Sequence, residues 1–182
     1  MRIVIDMQGA QNESRFRGIG RYTTEFVKHL ILKAQERNIE IVLALNSAFP
    51  DSIEPLRAEF DDLLSQKSIL LWDGLTNVEY IDPNNTGRRK SSEFIREAFL
   101  NALNPDLILI SELFAGAGDN TTTSIGNLKS KIPTAVIFYD LIPLAFEQEY
   151  LGTPVIKNWY HNKLEHLKKA NLLLAISSFT KE

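Results

Sequence analysis

Short runs of Ile, Val and Leu recur along the chain, separated by longer stretches in which apolar residues step by three and four. The runs lie at Arg2–Ile5, Ile39–Leu45, Asp106–Ile110, Thr134–Tyr139 and Leu172–Ile176, with a weaker one at Ile69–Trp72 or Asn77–Ile81. Runs that are apolar throughout suit parallel strands covered on both faces. Between them, Ile19, Tyr22, Phe26, Leu30 and Ala34 make one helical stripe. Asp51 followed by Glu54 predicts a capped helix carrying Leu56, Phe60, Leu63 and Leu64. Ser91 or Ser92 caps a helix that buries Phe94, Ile95, Ala98, Phe99 and Leu103. Thr153-Pro154 starts a further helix, with Thr as cap and Pro in the first position, burying Ile156, Trp159 or Tyr160, Leu164 and Leu167. Strict alternation of strand and helix predicts an α/β, Rossmann-like fold: a doubly wound, mainly parallel sheet with helices on both faces.

Ser177 to Glu182 reads as the cap and first turn of another helix. A domain that stops in such a turn is expected to be a piece of a longer chain, the alternative being a frayed tail. The 182 residues suffice for one core. A net charge of −3 leaves no electrostatic footprint for nucleic acid, so none is expected as a partner. The absence of cysteine excludes disulfides, thiol catalysis and zinc–thiolate sites. No apolar run approaches the roughly 20 residues of a membrane span, and Met1–Asp6 reads as a strand rather than a signal peptide. The expected location is the cytoplasm.

Ligands of an open parallel sheet bind beyond the carboxyl ends of its strands. After the first strand comes a long loop and then Gly18-Ile19-Gly20-Arg21-Tyr22. Paired glycines at a helix start expose N–H groups to an anion such as phosphate, with Arg15, Arg17 and Arg21 nearby. Alternatively, Gly18 and Gly20 allow only a close approach of helix and strand. Tyr139 and Asp140 end the fifth run, where Tyr139 can bond a sugar hydroxyl and Asp140 can orient it or cap the next turn. Glu112 ends the fourth run as a hydroxyl acceptor or a surface carboxylate, ahead of a Gly- and Thr-rich loop, Gly116–Thr123, expected to be mobile. Arg88-Arg89-Lys90 stands in a polar loop before a helix, a solvated face or a contact to an anionic acceptor or membrane surface. His161 and Glu165 make an exposed helix pair. Neither a Gly-x-Ser-x-Gly elbow nor a P-loop occurs.

Taken in order, Gly18-Ile19-Gly20-Arg21-Tyr22, Tyr139-Asp140-Leu141-Ile142-Pro143-Leu144 and Leu174-Ala175-Ile176-Ser177-Ser178-Phe179-Thr180 resemble the N-terminal half of family-4, GT-B glycosyltransferases, above all mannosyltransferase-like ones. That resemblance spans nearly the whole chain. It implies the acceptor-side domain of a cleft enzyme that moves a sugar, with retention and without a metal ion or cofactor, from a nucleotide sugar to a glycan or lipid-linked acceptor. It assigns catalysis to Tyr139 and Asp140, and substrate contacts to Gly18, Ile19, Gly20, Arg21, Glu112 and Ser177. It also implies peripheral association with the inner face of a membrane. Tyr139 stands where the family usually has a histidine, and the donor-binding C-terminal domain is not in these residues. Alone, the chain is expected to show negligible transfer. Two other readings share the fold: a stand-alone module binding a phosphorylated ligand or protein, and a dinucleotide-dependent oxidoreductase. The long first loop, and Thr23 in the third glycine position, count against the oxidoreductase.

Overall fold

A computed structural model describes residues 1–181; Glu182 lies outside the described residues. Six parallel strands, β1 (Arg2–Asp6), β2 (Glu40–Asn46), β3 (Ile69–Trp72), β4 (Leu107–Ile110), β5 (Thr134–Phe138) and β6 (Leu172–Ala175), form one sheet in the order β3-β2-β1-β4-β5-β6. The helices are α1 (Gly18–Gln35), α2 (Pro50–Glu59), α3 (Thr86–Ala102), α4 (Ile142–Ala145), α5 (Glu147–Tyr150), α6 (Pro154–Leu167) and α7 (Ser178–Lys181). The doubly wound α/β expectation holds, and the sheet is parallel throughout.

Alternation along the strands sends side chains to two cores. Ile3 and Ile5 of β1 join Ile41, Leu43 and Leu45 of β2 beneath Val27 and Ile31 of α1 and Leu56 of α2. Val4, Val42, Ile108 and Val136 face the other way, onto Leu100 of α3 with Leu167 of α6 alongside. Each such fully buried aliphatic side chain contributes about 1.5–3 kcal/mol. Among the described residues no helix is long and apolar enough to cross a membrane.

Several local expectations need correction. The weak third strand is Ile69–Trp72; at 77–81 the chain is a loop whose Tyr80 and Ile81 N–H groups bond the carbonyls of Gly116 and Ala117. The α1 stripe is displaced by one residue: Gly20, Thr23, Val27, Ile31 and Ala34 form its buried centre. Tyr22 and Phe26, stacked on each other at 6.0 Å, sit on its shoulder. Helix α2 begins with Pro50, so Asp51 lies inside the first turn, facing the helix dipole without capping it. The largest correction concerns α3, which starts at Thr86, so that Ser91 and Ser92 are interior. Its buried face is Ser92, Glu93, Arg96, Glu97 and Leu100, while Phe94 and Ile95 are exposed. Helix α6 keeps its cap: Thr153 Oγ1 accepts from the Ile156 N–H at 3.3 Å. Its most buried residues are Tyr160, Lys163 and His166.

Candidate functional site

Strand order reverses at β1, which has β2 on one side and β4 on the other. The loops leaving β1 and β4 therefore meet at the carboxyl rim, where such sheets hold ligands. Here the two loops are knitted together. Buried Gln8 donates to Asp6 and to the Thr122 carbonyl (2.7 Å), while its oxygen accepts from Asn46 (2.8 Å) and the Thr122 N–H (2.9 Å). Asp6 ends β1 and meets Arg96 of α3, whose Nε and Nη2 lie 2.7 and 2.6 Å from Oδ2. Arg96 also donates to the Ser124 carbonyl at 3.1 Å, and both side chains are 1% exposed. An unpaired charge in such a place costs several kcal/mol, which explains the polar inner face of α3. The loop expected to be mobile is instead a plug: Thr121, Thr122, Thr123 and Ser124 are buried, and Gly116 takes φ +86° with its α-carbon against the Thr121 carbonyl.

Beside this plug, a cavity of about 110 Å³ opens at the rim. Four of the residues singled out in the sequence line it: Ile19, Glu112, Tyr139 and Asp140, joined by Pro143 and Tyr160. Glu112 is buried, not a surface carboxylate. Its Oε2 accepts from Asn12 Nδ2 at 2.9 Å and its Oε1 from the Ser14 hydroxyl at 3.1 Å. Burial outweighs those bonds and pushes its carboxyl up to about 7, so both ionisation states are populated near neutrality. Tyr139 turns back toward α1: its hydroxyl is 3.0 Å from Thr23 Oγ1 and its ring meets Tyr22 edge-on at 5.8 Å. Burial raises its phenol to about 12, so it stays protonated. Asp140 is exposed, and its Oδ1 accepts from the Ile142 N–H at 2.9 Å.

The glycine pair divides. Gly18 opens α1 with nothing within 4 Å of where a Cβ would sit. At Gly20 a Cβ would collide with the Arg15 α-carbon and lie 2.6 Å from the Ser14 carbonyl oxygen, so its lack of a side chain serves a close approach of the preceding loop. Gly20 and Arg21 face a separate groove of about 490 Å³, together with Arg15, Phe16, Asp51 and Glu59. Ser177 does not line the cavity; its hydroxyl accepts from the Thr180 N–H at 3.1 Å and so caps α7. Thr180 in turn donates to the Tyr139 carbonyl at 2.8 Å, tying α7 to the end of β5. Arg88-Arg89-Lys90 lies in the first turns of α3 rather than in a loop. His161 is 3.6 Å from Glu147, and Glu165 pairs with Lys168.

Sequence reasoning missed Asn12 and Ser14, the two groups that hold Glu112, and the Asp6–Arg96 pair. It also missed Lys163, buried with its amine 2.7 Å from both oxygens of Thr123 and lowered to about 8 by burial. The available signal was a second three-and-four stepping series in α3, Ser92, Glu93, Arg96, Glu97 and Leu100, running beside the apolar one.

No family model matches the chain, and no solved structure matches it. Over 178 residues, 97% of the chain, it is 33% identical to a serotype-specific mannosyltransferase WbdA of Escherichia coli. Two further Escherichia coli proteins of the same name are 29% and 28% identical, each over 149 residues, or 81% of the chain. The chain spans about a fifth of the length of these relatives: 21% of the first and 18% of each of the others. Along almost its whole length, the chain is thus related to part of a glycosyltransferase.

Proposed function

We propose that the chain is the acceptor-side half of a retaining, family-4 GT-B glycosyltransferase that moves mannose from a nucleotide sugar to a glycan or lipid-linked acceptor. The observation that carries this reading is the similarity to mannosyltransferases over 97% of the chain. The rim cavity supports it with an exposed carboxylate, Asp140, beside a buried one, Glu112.

In the proposed reaction the acceptor hydroxyl oxygen bonds to the anomeric carbon as the bond from that carbon to the donor phosphate breaks. The nucleoside diphosphate leaves with the electron pair and takes up the hydroxyl proton. Asp140 Oδ2 accepts a hydrogen bond from the attacking hydroxyl and orients it, while Glu112 bonds a neighbouring hydroxyl. Tyr139 is a positioning residue, holding α1 against β5 through Thr23. At the start of α1, where no side chain caps the helix, the N–H groups of Gly18 and Ile19 take the donor diphosphate. The donor-binding half lies outside these residues, so the chain alone gives negligible turnover. The same reading puts the enzyme in the cytoplasm, at the inner face of the membrane.

The test is transfer from nucleotide-activated mannose to an oligomannoside by the longest natural chain containing these residues. Asp140→Asn is expected to lower kcat about a hundredfold, the scale of losing one orienting contact, with the melting temperature unchanged. Unchanged transfer would remove Asp140 from the reaction; no transfer by the natural chain with any nucleotide sugar would end the transferase reading.

A further inference from the structure

A third cleft, of about 410 Å³, lies between the first turns of α3 and the first half of α6, and shares no lining residue with the rim cavity. Its walls carry Tyr80, Arg89, Lys90 and Glu93 on one side and Asn158 and Asn162 on the other. The Arg89 guanidinium lies 4.3 Å over the Tyr80 ring, which is itself anchored because the Tyr80 N–H donates to the Gly116 carbonyl at 3.1 Å. Arg89 Nη1 is buried and has no hydrogen-bond partner. Among the described residues, none of the ion pairs includes Arg89 or Lys90. The one carboxylate in the wall, Glu93, accepts from Asn127 Nδ2 at 3.0 Å. The neighbouring Arg88 is satisfied differently, its Nε donating to the Thr76 carbonyl at 2.6 Å.

A buried donor left unsatisfied costs free energy, and a planar guanidinium pinned in advance is suited to a tetrahedral or planar anion. Two unpaired cations against one carboxylate leave the wall net positive, which favours an anion. The cleft is much larger than a bare ion needs. Asn158 and Asn162 are four apart on one face of α6, and amides so placed can donate to and accept from hydroxyls. We propose that this cleft binds a phosphomonoester whose phosphate sits on Arg89 and Lys90 and whose hydroxyl-bearing remainder lies along Asn158 and Asn162. The chemistry is common to a free sugar phosphate and to a phosphate headgroup at a lipid surface. It is independent of the reaction at the rim.

The test is a nuclear magnetic resonance titration of the chain with mannose 6-phosphate, with glycerol 3-phosphate and with uncharged mannose as a control. Saturation at about 1 mM or tighter is expected for the phosphates only, centred on the Arg89 Nε–H and the side-chain amides of Asn158 and Asn162. Arg89→Met should weaken binding at least about tenfold and Asn162→Leu several-fold, whereas Arg88→Met stays within about twofold. Shifts centred elsewhere, equal losses in the Arg88 and Arg89 variants, or no saturation would overturn the proposal. Phosphatidic acid vesicles decide the source: Arg89-dependent binding stronger than that of the soluble esters assigns a headgroup, and binding confined to the soluble esters assigns a free ligand.

Discussion

Glu112 is a carboxylic acid held where its charge is disfavoured, and this makes its contribution to stability run opposite to that of most acids. In the unfolded chain it titrates near 4.5, in the folded one near 7. Below pH 4.5 both states are protonated and the group contributes nothing. Between pH 4.5 and 7 the unfolded chain ionises first, so stability falls as pH rises, by about 3 kcal/mol at most, and levels off above 7. Glu112→Gln should abolish that slope, because its amide oxygen can accept from Asn12 while Ser14 turns to accept from its NH2. Denaturant titrations from pH 4 to 8 should converge at low pH and show the variant more stable at pH 8. Asp6 and Arg96 form a buried ion pair in which each charge needs the other. Arg96→Met leaves Asp6 buried beside nothing positive and is expected to cost about 3–5 kcal/mol, whereas Asp6→Leu combined with Arg96→Met should recover most of that loss. A single substitution costing under 1 kcal/mol would mean that the pair is open to water. Neither residue is legible as a partner from the sequence: Asp6 ends the first apolar run, Arg96 lies ninety positions away, and no local pattern links them.

The helices divide into those whose sequence names their buried face and those whose sequence does not. Thr153-Pro154 fixes the start of α6 by local chemistry alone, and the structure has that cap. Helix α3 carries two stepping series: of the apolar one Phe99 and Leu103 pack against the core while Phe94 and Ile95 are exposed, and the mainly polar one is the more deeply buried. The polar series faces inward because the loops after β1 and β4 fill the rim with polar groups that need partners. Helix α1 is a milder case, since Gly20 and Thr23 are small enough to let the 13–16 turn and Tyr139 come close. This makes the two glycines behave differently. Gly18→Ala has open space and a helical position, so it is expected to leave stability unchanged or raise it by up to about 1 kcal/mol. Gly20→Ala drives a methyl into the Arg15 backbone and is expected to cost about 1–3 kcal/mol. Melting temperatures that shift equally in the two variants would contradict the close approach at Gly20.

The sheet as a whole was the most legible feature, because six apolar runs alternating with helical stretches leave few topologies under right-handed crossover rules. The site was legible in part. Ile19, Glu112, Tyr139 and Asp140 end adjacent strands or open α1, so strand-end reasoning gathers them around one cavity. It could not tell that Tyr139 turns inward to Thr23, that Ser177 caps α7, or that Gly20 and Arg21 face another groove. Those outcomes depend on side-chain packing between segments far apart in sequence. The central claim is that this rim is the acceptor side of a sugar-transfer cleft. Nuclear magnetic resonance titration of residues 1–182 with an oligomannoside, and separately with nucleotide-activated mannose, tests it most directly. The account predicts saturable shifts at Ile19, Glu112, Tyr139 and Asp140 with the oligomannoside, and binding at least about tenfold weaker for the nucleotide sugar. Tighter binding of the nucleotide sugar at these residues, or no saturation by the oligomannoside, would contradict it.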